Sequence, residues 1–403
     1  MENQIEKIRI EHNRILFSIL NNDIKKERGI GIYTGLSGDI IFLAQNYIQD
    51  FDDKILDKIN ELLDCCLEYL EIGEYNNPTF SAGIAGYAWV VNYLVENEII
   101  DKDSNEVLEV LDPFLKREIK NMLIHQNYDL LNGALGIGIY FLKRKDFGAV
   151  EELIEYLDDR KIKIGNEYLW EVDKRQYQMG FVFDFSLAHG AAGILYFLNK
   201  CEQQGIRSAT CQKLIDGILC FFQNNLQDHE KIGSYFGNRI DRSEYYSNSK
   251  TEMMSRVGWC YGDLSILHTI NGLLSSSYGI GHLRDEAASM LKNTAKRFSV
   301  ESSLVCDAGF CHGSSGNAFI FRDLFLKTDI EEFRLASEFW IDKTISFLKS
   351  SGDEQPKYVF IGGENSMEVE CDNLLEGTLG IGITYNYFLF NNLPAFKDIF
   401  MLS

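Results

Sequence analysis

The sequence predicts an all-α protein assembled from seven similar helix pairs. Three observations carry that reading. A small-residue motif recurs seven times along the 403 residues, each copy leads into an apolar run, and amphipathic stretches occupy the intervals. Only four prolines, Pro78, Pro113, Pro356 and Pro394, punctuate the chain. That leaves little material for Pro-rich linkers and favours one unit over residues 1–403.

At the N-terminus, residues 1 to about 27 place Ile5, Ile8, Ile15, Leu16 and Ile19 at helical spacing among charges, which predicts an amphipathic helix packed on the outside of the repeats. The motifs then run Gly35 and Gly38, Gly83 and Gly86, Gly133 and Gly136, Gly190 and Gly193, Gly262 and Ser265, Gly313 and Gly316, Gly377 and Gly380. Their first glycines are 48 to 72 residues apart, the spacing of a structural repeat. Glycines three apart share a helix face and let a second backbone come close. At a helix start they also leave peptide N–H groups open to a ligand or a tight turn. Packing accounts for most of these positions; chemistry is sought where a motif also carries Cys, His or Asp.

The runs after the motifs, such as Ala88, Trp89, Val90, Val91, Tyr93 and Leu94, are apolar on every side, whereas the intervening stretches have a wet face. Residues 53–70 align Ile55, Ile59, Leu62, Leu63, Cys66 and Leu70 on one stripe, and 106–124 and 285–298 behave likewise. An inner set of helices wrapped by an outer amphipathic set satisfies both patterns. Two connections are longer than a turn requires. Residues 160–186 have strand-like composition around Tyr168, Leu169, Trp170 and Phe181, Val182, Phe183, and 230–256 are rich in Gly, Ser, Asn and Tyr. Each runs directly into a candidate motif, which places both as insertions at a functional rim.

Composition narrows the function. Hydrophobic residues make up 45% of the chain, enough for a sizeable core, and the formal charge of −21 argues against nucleic acid or an anionic membrane surface as partner. The nine cysteines are an odd count, thinly spread, with Cys65 and Cys66 adjacent and no CxxC pair. That is not a disulfide framework and reads as reduced thiols. The N-terminus has no signal-peptide core, and no apolar run approaches the roughly 18 residues of a membrane span. The expectation is a soluble cytoplasmic protein.

Chemistry concentrates in two motifs, Trp259-Cys260-Tyr261-Gly262 and Cys311-His312-Gly313. Cys260, Cys311 and His312 offer two thiolates and an imidazole, a soft set that suits zinc and leaves a fourth tetrahedral position open. The same cysteines also read as two buried free thiols, as most cytosolic cysteines are. His189, in Leu187-Ala188-His189-Gly190, stands in the register of His312. His12, His229, His268 and His282 have no such register and read as ordinary; His125 lacks it too but lies one turn before Asp129. Asp129, four residues before Gly133, reads by itself as a helix N-cap.

These residues, in this order, resemble the lanthionine synthetase C-like family, the zinc-dependent cyclases of lanthipeptide biosynthesis, and the resemblance runs from about Gly35 to Gly380. It implies an (α/α)7 toroid, supplying a ring closure that sequence alone does not display. It also implies Zn2+ on Cys260, Cys311 and His312, surrounded by Asp129, His189, Arg256 and Tyr261. Asp263, Leu264 and Ser265 depart from the small residues, including Gly or Pro, usual after the Trp-Cys-Tyr-Gly stretch, and Ser186 replaces a frequent Gly.

The implied reaction adds a peptide Cys thiol to dehydroalanine or dehydrobutyrine, giving (methyl)lanthionine thioether rings. The partners would be a dehydrated precursor peptide and a separate dehydratase. His189 would move the proton, Asp129 set its tautomer or charge, and Arg256 and Tyr261 donate to the enolate oxygen. Two alternatives remain: joining glutathione to dehydroamino acids, or a non-catalytic zinc-stabilised peptide-binding scaffold. An α/α-toroid glycosidase would need two facing carboxylates, and a terpenoid cyclase an Asp-rich cluster; neither arrangement is apparent.

Overall fold

The computed structural model describes residues 2–73, 76–175, 180–273, 281–350, 356–362, 367–390, 393 and 396–402. The all-α class expected from the sequence is the class observed, with a few strands of two to four residues. Each of the seven motifs opens a helix, and in each the first glycine is the N-cap rather than a helical residue. The chain falls into two compact units, residues 1–118 with 306–396 and residues 119–305 with 397–403.

In the first unit the glycine-led helices are Leu36–Asp50, Ile84–Glu96, Ser314–Thr328 and Thr378–Leu389. The Ile84 helix packs on the Leu36 helix, that on the Thr378 helix, and that on the Ser314 helix. These helices are buried on every side: each residue from Ile84 to Val95 is buried. Burying one Leu, Ile or Phe side chain is worth about 1.5–3 kcal/mol, so such rows anchor the unit.

Helices with one wet face cover them, Asp53–Glu71 on the Leu36 helix and Glu331–Ser346 on the Ser314 helix. The N-terminal helix Glu2–Asn21 covers the Thr378 helix, so the start of the chain supplies the outer partner of the seventh repeat. It buries Ile8, Ile15 and His12, and Nε2 of His12 lies 2.6 Å from Oδ1 of Asn386.

Entry loops link neighbouring repeats through their backbones. Leu374 donates to the Tyr33 carbonyl at 3.0 Å, Tyr33 to Ser81 at 2.9 Å and Cys311 to Leu375 at 2.7 Å. The last repeat is thereby bonded to the first.

The second unit repeats the scheme with Ala134–Arg144, Ala191–Gln203 and Asp263–Asn271, covered by Phe147–Arg160, Ser208–Gln223 and Gly281–Thr294. The last of these ends short of the expected Phe298, and Arg297, beyond its end, pairs with a buried carboxylate, Asp263. Residues 160–186 form the hairpin Ile162–Ile164 with Glu167–Leu169 and two strands, Val172–Asp173 and Phe181–Asp184. Arg239–Asp241, from the other long connection, pairs with Phe181–Asp184 to complete a three-stranded antiparallel sheet.

The paired glycines mark close approaches. A Cβ on Gly190 would stand 2.2 Å from the carbonyl oxygen of Asp184, and one on Gly193 2.4 Å from that of Leu187 and 3.2 Å from the Leu130 side chain of the preceding repeat. The loop folds back on its own helix and leaves no room for a side chain.

Candidate active site

The entry loops decide where functional side chains point. Asn77, Asn127, Asp184 and Asp307 stand six residues before Gly83, Gly133, Gly190 and Gly313. Each accepts the backbone N–H two residues on, from Thr79 at 3.1 Å, Asp129 at 3.4 Å, Ser186 at 2.8 Å and Gly309 at 2.9 Å. These side-chain turns brace the loops that end in His189 and His312, each one residue before its glycine.

Asp129 is not a helix cap. Its Oδ1 accepts the amides of Leu131 and Asn132, both at 2.8 Å, while its Oδ2 lies 2.6 Å from Nδ1 of His189. A carboxylate partner selects the tautomer with the proton on Nδ1 and leaves Nε2 for chemistry. Burial would depress the imidazole pKa. The hydrogen bond and charge of Asp129, helped by Asp184 and opposed by Lys174, outweigh burial and raise it above the ordinary histidine value.

Tyr261 faces this pair, its ring centroid 6.1 Å from that of His189. It shares one loop with Arg256 and Cys260. The loop is fixed by Val257 donating to Ser303 at 2.9 Å and by the Trp259 indole donating to the Phe400 carbonyl at 2.6 Å. Gly262, at φ 92°, lets the loop turn; a Cβ there would stand 1.8 Å from the Arg256 carbonyl. Cys260 is buried, and its carbonyl accepts Ala188 N–H at 3.5 Å. Arg256 is half-buried, and among the described residues its guanidinium makes no hydrogen bond or ion pair.

In the first unit, Cys311 is buried and His312 half-buried beside it. Nε2 of His312 lies 3.8 Å from Oδ2 of Asp307, a carboxylate 3% exposed that also accepts Ile361 N–H. A carboxylate behind an imidazole is a common way to orient a histidine that binds metal.

In the second unit a cavity of about 820 Å³ is lined by Asp129, His189 and Tyr261 together with Lys174, Arg175 and Arg239. The strands from residues 160–186 and the Arg239 strand form part of its wall. It holds far more than one amino-acid side chain.

A family model described as lanthionine synthetase C-like protein matches residues 27–401. The chain belongs to that family. The lanthionine synthetase C-like fold extends over the whole molecule: the solved structure of a nisin cyclase matches with a TM-score of 0.75, covering 100% of this chain and 97% of that one at 18% identity. At that identity the likeness is one of fold. No curated protein matches the chain by sequence.

Lanthionine synthetase C-like motifs pointed to seven site residues, but sequence reasoning passed over Asp184, Asp307, Lys174 and Arg239. The first two had a signal: an Asn or Asp six residues before the first glycine, in four of the seven repeats. Lys174 and Arg239 had none: Lys174 follows the strand Val172–Asp173, and Arg239 begins the strand that pairs with Phe181–Asp184.

Proposed function

We propose that this protein closes lanthionine or methyllanthionine rings in a peptide whose Ser and Thr residues have been dehydrated elsewhere. The observation that carries the reading is the Asp129–His189 pair, positioned in a cavity large enough for a peptide segment. Membership of the lanthionine synthetase C-like family supports it.

Cys260, Cys311 and His312 would hold a zinc ion: two thiols and an imidazole are the soft set zinc takes, with one coordination position left over. Bound there, zinc would lower the pKa of an incoming thiol and make it a nucleophile at neutral pH.

The chain's own residues handle the rest. His189, with Nδ1 tied to Asp129, takes the substrate S–H proton on Nε2 or returns a proton to the α-carbon after sulfur has bonded to the β-carbon. Arg256 and Tyr261 donate hydrogen bonds to the enolate oxygen that forms in between. S–H adds across C=C, so the product has the mass of the substrate and no electrons are gained or lost. The described cysteines are all free thiols, which suits a reducing compartment such as the cytoplasm. Among the described residues no helix is long and apolar enough to cross a membrane.

The test is incubation of the zinc-loaded protein with a dehydrated, cysteine-containing peptide. The peptide mass should stay constant while its thiols cease to react with an alkylating reagent. Thiols that remain alkylatable at the rate seen without protein would refute the reading.

A further inference from the structure

The fifth repeat fastens its entry loop differently from its neighbours. In four repeats the residue six before the first glycine is Asn or Asp, and its side chain accepts a loop amide. In the fifth that position, six before Gly262, is Arg256, whose guanidinium has no acceptor atom to offer. The fastening comes from Arg297. Its Nη1 donates to Oδ2 of Asp263 at 2.9 Å, its Nη2 to the carbonyl of Ser255, and its Nε to the carbonyl of Ser302 at 2.7 Å. One guanidinium therefore joins the residues that flank 256–262 at both ends. Asp263 also accepts the amides of Tyr235 and Phe236, tying in the long connection that leads to this loop.

Everything the fifth repeat gives to the site, Arg256, Cys260 and Tyr261, lies within the segment so closed. Both partners are deeply buried, with side chains 10% and 1% exposed. A buried ion pair is a poor source of stability compared with apolar side chains of the same volume. Its geometry is what apolar replacements would not reproduce.

We propose that the Asp263–Arg297 pair is a clasp that sets Arg256, Cys260 and Tyr261 relative to one another, in place of the side-chain turn used by four of the other repeats. Asp263 and Arg297 are then positioning residues. The proposal rests on the proposed function in taking Cys260 as a metal ligand.

The test uses the full chain with Co2+ as probe, reading its thiolate-to-metal absorption band, the melting temperature, and amide hydrogen exchange across 255–262. Asp263→Asn and Arg297→Met each strand a buried partner and should melt lower. The double variant leaves no unpaired charge and should regain most of that loss. In all three, Co2+ affinity should fall at least tenfold, the band should shift, and amides 255–262 should exchange faster. Arg297→Lys keeps the charge but cannot reach three acceptors at once, and should not rescue.

A double variant with the parent's affinity, band and exchange would mean that the pair serves folding alone, and would overturn the proposal; so would full rescue by Arg297→Lys. A parent protein that takes up no Co2+ would refute the metal reading instead. In that case exchange across 255–262 still decides the clasp, parental rates in the double variant refuting it.

Discussion

Oδ2 of Asp129 stands 2.6 Å from Nδ1 of His189, while Oδ1 of the same carboxylate is held by two loop amides. With one oxygen bound to the backbone, the other cannot rotate away from the imidazole. The pair links the third and fourth repeats and fixes both the orientation and the proton affinity of a histidine that faces the cavity.

We predict a pH signature from this pair. His189 has a folded-state pKa raised above its unfolded value, so the stability it contributes is complete below the ordinary histidine pKa and is lost as pH rises through the raised value. In Asp129→Asn the imidazole should release its proton at lower pH, and this pH-dependent part of the stability should vanish. NMR titration of the His189 ring and denaturant unfolding at several pH values would check it. An unchanged midpoint would show that Asp129 does not set the charge.

The catalytic assignment predicts graded losses. His189→Ala should lower the cyclisation rate by about 10²–10⁴, and Arg256→Gln or Tyr261→Phe by about 10²–10³. Metal content should not change in any of them. Turnover at the parent rate by a metal-replete His189→Ala protein would remove that residue from the mechanism.

For the metal, the expected outcome is zinc loss in Cys260→Ala, Cys311→Ala and His312→Ala, measured by elemental analysis against the parent. Asp307→Ala should weaken zinc affinity about tenfold or more by releasing the His312 ring. Undiminished zinc in both cysteine variants would eliminate the ligand set.

Two glycines separate close approach from open space. Gly193→Ala places a methyl 2.4 Å from a carbonyl oxygen and should destabilise the protein by about 1–3 kcal/mol. Gly148→Ala, in the first turn of a helix with the nearest atom 3.8 Å away, should be neutral or stabilising by up to about 1 kcal/mol. Denaturant midpoints of the two variants suffice, and equal shifts would contradict the packing account.

The repeat was legible because each motif plays the same local part, an N-cap glycine followed by an apolar helix, and local patterns survive in sequence. The reading that both glycines lie on a helix face missed that the first stands outside the helix, against its own loop. Asp129 looked like a cap because sequence shows the helix ahead of it but not His189, 60 residues away. The Asp263–Arg297 contact was illegible for the same reason: Asp263 could be seen only as a departure from small residues, since its partner lies 34 positions on. Residues 160–186 revealed their strands through composition. The strand at Arg239–Asp241 is held by pairing with Phe181–Asp184 more than by its own residues.

The amide of Leu374 bonded to the carbonyl of Tyr33 has a bearing on synthesis. The first two repeats leave the ribosome with one flank bare, and the segment that covers it emerges more than 300 residues later, whereas residues 119–305 find most of their neighbours among themselves. Contacts between distant parts of a chain form late. The middle of this polypeptide should therefore gain resistance to protease before its beginning does, and nascent chains arrested near residue 310 would expose the apolar surface around Ile32, Leu36 and Ile40 to chaperones.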